Sequence, residues 1–500
     1  MLQITHIAGN GAGEASHLAV QGLSSSEVLT AMKNGSDNLE LIGFYLKDGV
    51  LSRGATATAG TVGEVALAIL GRTAVTAVRS GSNRLLLISW AVSSQVQAIT
   101  RLHDSANAAG EASCIAITPI SQNMFITAMR DGGGDLLLIC WSLQPDGSFR
   151  RLGESNPPGR PKQAGAVSLV AATSVGNNLV VTAVKNGSNQ LELIAWQVSA
   201  DGSTITRKDP AGTNAGVIGD SIFGDQRGEL AITAYRDPMN EAPGVITAMQ
   251  NASGNLQLIA WRIIDQGVGF QMVADTNTMQ PASDRPGTAS HISVSPSGYA
   301  EGNFLASMRR GSGDLELIDF SLSSSGWKRE CSYGERQGTD VTETAIVSFF
   351  GRAVTATRKA NYLNVFLWQI ETASQPHAVD TSRINQWFTT VLSDSAQAKN
   401  LKADWKTLFE KALPLTPGQK ASITSIPEAD AKELNSAVAM VVDHGGTIHL
   451  QRQSESSPGT LIIQPLENGN RTAELSVGVF HCKFDANCRN WHCKWGPARS

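Results

Sequence analysis

The chain is poor in cysteine, in charge and in long apolar runs, and each shortage excludes something. Six Cys in 500 residues cannot make the dense disulfide framework of a small secreted domain. Only 17% of residues are charged, and 40 Lys and Arg are outnumbered by 44 Asp and Glu. A formal charge of −4 provides no positive field to draw in a polyanion, so no nucleic-acid partner is expected. No apolar run approaches the roughly 20 residues of a membrane-spanning helix. The opening MLQITHIAGNGAGEAS has neither a basic segment nor an apolar one. No secretory signal is visible there, and a cytoplasmic location, or release without a signal peptide, is expected. The Asn-x-Ser/Thr sequons at Asn34, Asn186, Asn251 and Asn470 matter only on a secretory route. The nine His are scattered, and no G-x-S-x-G, H-E-x-x-H, phosphate loop or dinucleotide fingerprint occurs. With 41% hydrophobic residues the chain is nonetheless globular rather than disordered.

What is present is a repeat. VLTAMKNGSDNLELIGF at Val28–Phe44 returns as AVTAVRSGSNRLLLISW, FITAMRDGGGDLLLICW, VVTAVKNGSNQLELIAW, VITAMQNASGNLQLIAW and FLASMRRGSGDLELIDF. A seventh copy, AVTATRKANYLNVFLW, is one residue shorter. The repeated Thr falls at 30, 76, 127, 182, 247 and 355, with Ala306 in the sixth copy. A spacing of 46 to 65 residues is close to one propeller blade. Each copy reads strand, glycine turn, strand, which excludes the helical solenoids of similar period. A first strand precedes each hairpin, as at Ser113–Ile117 and Thr344–Ser348, and a fourth follows, as at Gln97–Leu102 and Thr204–Lys208. Four strands per unit is blade arithmetic. The longest interval leaves room for a loop around Arg236–Pro243.

ITHIAGNGAGEASHLAV from Ile4 aligns with ITRLHDSANAAGEASCIAI from Ile99. The chain therefore begins with a fourth strand, which is expected to complete the last blade and close the ring. The expected fold is an all-β seven-bladed β-propeller with N-terminal strand closure over residues 1–372. Beyond it, residues 373–500 read as a small α+β domain. Helices are expected at Arg383–Leu413 and from Pro427, and strands at Thr447–Arg452, Thr460–Pro465 and Ala473–Phe480.

Three constellations could carry function. The aromatic ring, Phe44, Trp90, Trp141, Trp196, Trp261, Phe320 and Trp368, could stack on sugars or form the core between blades. The small residue before most of these rings, such as Gly43 or Ala195, reads as a fit to a neighbour's ring. The basic series Lys33, Arg79, Arg130, Lys185, Arg309 and Arg358, broken by Gln250, could offer one cation per blade to an anionic or hydroxyl-rich ligand. Alternatively it makes a structural ion pair with Glu14, Glu64, Glu111, Glu229 and Glu343. The hairpin tips supply residues suited to positive φ, and Asn34 and Asn186 could also grasp hydroxyls. In the Cys- and His-rich tail, Cys482, Cys488, His492 and Cys493 could hold zinc or copper, although the knuckle spacing is absent. One disulfide with a free thiol, or uncommitted thiols, fit equally. No cofactor is required by any reading.

The repeat resembles those of seven-bladed β-propeller lectins of bacteria, whose units also run apolar strand, basic residue, glycine turn, apolar strand, terminal Trp. That resemblance covers about residues 1–370 and implies repeated sugar binding in or near the clefts between blades. The first expectation is therefore a non-catalytic, multivalent, carbohydrate-binding propeller. An alternative is a protein-interaction scaffold with the C-terminal domain as effector, and a third is an enzyme with its site on the propeller axis. A lectin should show polar and aromatic residues repeated at exposed positions. A scaffold should show an irregular, partly apolar patch.

Overall fold

The computed structural model describes residues 2–47, 50–106, 109–159, 161–209, 212–219, 229–236, 242–297, 302–334, 341–349 and 351–372. Beyond these it describes five strands, 446–451, 460–465, 472–477, 480–485 and 490–495. The chain divides into two units, Met1–Thr372 and Ala373–Ser500.

The first unit is a β-propeller. Every copy of the repeat forms an antiparallel hairpin, from Glu27–Asn34 with Asn38–Lys47 to Arg352–Lys359 with Tyr362–Thr372. An inner strand flanks each hairpin on one side and an outer strand on the other. The inner strands after the second copy are Ala112–Pro119, Val167–Gly176, Leu230–Arg236, Ala289–Pro296 and Val341–Phe349. Two long strands serve two blades each. Val50–Leu70 is the outer strand of the first blade and the inner strand of the second. Leu2–Ser24 pairs with Tyr362–Thr372 through its first half and with Glu27–Asn34 through its second. The loop expected around Arg236–Pro243 falls largely on residues 237–241, outside the described residues.

The alternation in Leu-x-Leu-Ile-x-Trp sorts side chains between neighbours, because successive residues of a strand face opposite sides. Leu39 and Leu41 pack with Ile88 and Trp90 of the second blade, while Ile42 and Phe44 pack with Val354 and Val365 of the last. The repeated Thr and Trp are one device. The Trp indole N–H donates to the Thr hydroxyl at 3.1, 2.9, 2.9, 3.0 and 2.8 Å in the pairs Trp90–Thr76, Trp141–Thr127, Trp196–Thr182, Trp261–Thr247 and Trp368–Thr355. In four copies the Thr hydroxyl lies 3.1–3.5 Å from the Ile carbonyl across the hairpin, to which it donates. A buried indole N–H is thereby satisfied. Where the Thr is replaced, by Ala306, the aromatic is Phe320, which has no N–H to satisfy.

Consecutive blades are stitched by main chain. A backbone N–H at each inner-strand entry donates to the carbonyl of the left-handed residue in the preceding hairpin tip. The pairs are Val62–Asp37, Ala112–Asn83, Val167–Gly134, Ala289–Gly254 and Val341–Gly313 at 2.8–3.0 Å, with Ile218–Asn189 ahead of the fifth blade. Ala15 makes the same bond to Asn361 at 2.8 Å and so ties the first inner strand to the last tip. The accepting residues have φ between +61° and +89°, which explains the Gly, Asn and Asp of the tips.

The small residue before each aromatic answers to a turn rather than to a ring. Gly43 receives Val96, from the outer turn of the next blade; a Cβ on Gly43 would lie 1.8 Å from a Val96 methyl carbon. Ser89 donates its hydroxyl to the carbonyl of Gly147 in the corresponding turn of the third blade, at 2.7 Å.

In the second unit the strands order as Thr460–Pro465, Gly446–Gln451, Thr472–Val477, Phe480–Asp485, Asn490–Trp495. The central pair Gly446–Gln451 and Thr472–Val477 is parallel. The Cys-rich tail, read as a ligand segment, contributes two of these strands. The helices expected at Arg383–Leu413 and from Pro427 lie outside the described residues. No helix among the described residues is long and apolar enough to cross a membrane.

Candidate functional site

The aromatic ring is interior. Phe44, Trp90, Trp141, Trp196, Trp261, Phe320 and Trp368 are each at most 1% exposed, so none offers a face to a sugar. Their register partners on the outer strands form a second basic series that the repeat pattern did not reveal. Arg53, Arg101, Arg151, Arg207 and Arg329 stand opposite Phe44, Trp90, Trp141, Trp196 and Phe320. Each is ion-paired, with Glu40, Asp104, Glu154, Glu192 and Glu316 respectively. Two blades break the series: Met272 stands opposite Trp261 in the fifth, and His6 opposite Trp368 in the last.

The first basic series does not present one cation per blade. Arg79 and Arg358 pair with the inner-strand carboxylates Glu64 and Glu343 at 3.6 and 3.5 Å. Lys33 turns instead to Asp37 in its own tip, at 2.6 Å. Lys185 is buried and donates to the Gly219 carbonyl at 3.4 Å, and Arg309 is buried as well. Arg130 is exposed, with no ion pair among the described residues. The Asn34 side-chain oxygen accepts the N–H groups of Ser36 and Asn38 at 3.0 and 3.1 Å. Asn186 does the same for Ser188 and Gln190, both at 3.0 Å. The oxygens of both are committed to their turns.

On the axis a small opening of about 180 Å³ gathers His17, Cys114 and His291 with Glu64 and Glu343. The first three occupy equivalent places in Ala-Ser-His, Ala-Ser-Cys and Ala-Ser-His, with φ of +57°, +53° and +50° at breaks in the inner-strand register. The carboxylates span blades. Glu343 accepts the Leu18 N–H at 3.1 Å, and Glu64 accepts the Ile115 N–H at 3.4 Å. The Cys114 thiol donates to the Ser168 carbonyl at 3.0 Å. The shared Ala-Ser-x was the available signal, and only the bulge geometry shows that it turns three side chains to the axis.

Elsewhere, burial dominates the titrating groups. It pushes the Cys140 and Cys331 thiols up to about 12, which leaves neither as a thiolate nucleophile. It raises Asp319 to about 7, with the Glu330 charge adding to the effect.

For the metal reading, Cys482 is the direct register partner of Cys493, and His492 of Lys483. Cys488 lies outside the described residues. Among the described residues no group of three or more His, Cys, Asp or Glu is placed to hold a metal ion.

No protein-family model matches the chain, and no curated protein matches it. Among solved structures it is similar to Sqt1 of Saccharomyces cerevisiae, at 14% identity over 71% of this chain and 83% of that one, with a TM-score of 0.41. It is also similar to a putative 6-phosphogluconolactonase from Bacteroides fragilis, at 11% identity over 68% of this chain and 92% of that one, with a TM-score of 0.43. Both likenesses are distant; the propeller is read from the strand pairing and the stitches between blades.

Proposed function

We propose that the chain is a seven-bladed propeller, closed by its N-terminal strand, that works as a non-catalytic scaffold docking a partner protein. The unit at residues 373–500 would be its effector. The observation that carries this reading is the set of exposed apolar side chains along the outer edge of the fifth blade, one of two blades that lack the outer arginine. Ile264, Val268 and Met272 are 38, 47 and 46% exposed on that blade's outer turn and strand. The corresponding outer turns of the second, third, fourth and sixth blades read SSQVQ, QPDGS, SADGS and SSSGW, whereas the fifth reads IDQGV. Met272 lies on the Trp261 face of the strand pair and Ile264 on the other, and exposed Met and branched aliphatic side chains concentrated along one outer edge fit a protein interface better than a solvated edge. The carbohydrate reading loses its aromatic platform, and Asn34 and Asn186 spend their oxygens on turns.

The test is affinity capture with the full-length chain beside a Met272→Arg/Val268→Ser variant. Met272→Arg restores the residue that five other blades carry, so the fold is retained. The expected result is a partner held by the wild type and lost by the variant at unchanged Tm. An identical captured set would overturn the reading.

A further inference from the structure

The hairpin tip of the sixth blade departs from the commonest form, as the second and seventh, opened by Ser80 and Lys359, also do. In four tips the residue opening the turn is Asn or Asp, and its side-chain oxygen accepts two N–H groups of that turn. Asn34 and Asn186 do so as described. Asp131 caps Gly133 and Asp135 at 2.8 and 2.9 Å, and Asn251 caps Ser253 and Asn255 at 2.9 and 3.1 Å. The sixth tip has Arg310 at this place, and a guanidinium accepts no hydrogen bond. The turn itself still forms, with the Gly313 N–H donating to the Arg310 carbonyl at 2.9 Å. The Ser312 N–H, counterpart of those capped elsewhere, therefore faces no such oxygen.

Arg310 reaches Glu316 instead, Nε to Oε2 at 3.2 Å, and Arg329 reaches the other oxygen of the same carboxylate at 2.9 Å. The Glu316 side chain is only 6% exposed and forms the base of this triad. Two guanidiniums share one carboxylate, so each keeps N–H donors that Glu316 does not take. Glycine makes the room: a Cβ on Gly334 would stand 3.0 Å from an Arg310 nitrogen, and one on Gly311 would stand 3.3 Å from Thr288. A cavity of about 460 Å³ opens over Thr288, Arg310, Gly311, Ser312, Glu316 and Arg329. Asp314 stands in the same lining and accepts the Ser312 hydroxyl at 2.8 Å.

We infer that this cavity binds a small oxyanion, a phosphate, sulfate or carboxylate group, with one oxygen where four other tips place their Asn or Asp oxygen. There it takes the Ser312 N–H, while Arg310 and Arg329 supply the opposing charge in the planar, multi-donor form that suits such groups. The cavity is many times the roughly 30 Å³ share of one water, so it accommodates the anion together with part of the molecule that bears it. With Asp314 the lining balances two guanidiniums against two carboxylates, so recognition rests on directed N–H donors and suits a small anion rather than a polyanion. The site is independent of the apolar edge of the fifth blade.

The test is a titration of the full-length protein with sodium phosphate at ionic strength held constant with chloride, followed by calorimetry. Parallel titrations with sulfate and with acetate separate a tetrahedral from a planar oxyanion; saturation by either class supports the site and identifies the source. The expected result is saturable binding near a millimolar Kd, weakened at least tenfold by Arg310→Asn. That substitution restores the turn cap found in four other tips, so Tm should hold or rise. Arg329→Gln should weaken binding as well. Equal affinity in wild type and Arg310→Asn would overturn the inference. So would the absence of saturation by any of the three anions up to about 50 mM, some fifty times a millimolar Kd.

Discussion

At the scale of single residues, a few buried polar atoms lack a hydrogen-bond partner among the described residues, on Asp209, Gln250, Trp327 and Asp319 among others, and Asp319 has the largest consequence for pH. This carboxyl is fully buried, and one oxygen lies 3.4 Å from the Asn303 amide that donates to it. Its other oxygen has no hydrogen-bond partner among the described residues. The folded-state value of about 7 stands above the ordinary 3.8. Between these values the folded state holds a proton that the unfolded state has released. Stability contributed by this group is therefore complete below about pH 4 and is lost as pH rises through about 7. The loss is on the order of 4 kcal/mol. Asp319→Asn should remove most of that slope and raise the denaturation midpoint at pH 8 while changing little at pH 4. Unchanged pH dependence in urea titrations would refute this. Asp209, raised to about 6 by burial against the opposing charge of Arg207, acts in the same direction and remains in the variant.

At the scale of elements, the repeat made the hairpins legible because its alternation has a period of two and its turns carry Gly and Asn at fixed places. What it did not show was what each repeated residue serves. Thr and Trp stand fourteen residues apart in the second to fifth copies and meet only when the hairpin folds. Ala306 with Phe320 was the visible clue, since acceptor and donor vanish together. The tip residues have the same history: Asn34 and Asn186 look like ligand groups until the turn claims their oxygens. The basic series failed as a single class because register, not residue type, decides the partner. Lys33 stands opposite Ser16, while Arg79 stands opposite Glu64. The socket for Val96 gives a prediction at this scale. Gly43→Ala forces a methyl into that side chain and should cost about 1–3 kcal/mol. Adding Val96→Ala should recover part of the loss, and a strictly additive pair would contradict the socket.

At the scale of the whole molecule, the offset between the first strand and the rest of the chain was readable from the alignment of Ile4 with Ile99. The pairing of Leu2–Glu14 with Tyr362–Thr372 is its structural form. The axial opening was less readable, because it is assembled from inner strands that lie far apart in sequence. Deleting residues 2–10 should leave the last hairpin with an unpaired edge. We expect Tm to fall by roughly 5–10 °C, as several kcal/mol would require in a unit of this size. We also expect concentration-dependent association through the bared edge, reversed by a peptide of the deleted strand. Scanning calorimetry with light scattering would show both, and an unshifted Tm would contradict the role given to this strand.

The direction of that ladder has a mechanical consequence. Leu2 pairs with Thr372 at one end, and Glu14 with Tyr362 at the other. Force applied between residues 2 and 372 would enter at a single end and part the hydrogen bonds in succession rather than together. The ring would then behave as a zipper with a defined starting tooth, yielding at low load along this seam while the hairpins stayed folded. Whatever pulls on the chain just beyond Thr372 would meet the weakest direction of the molecule first.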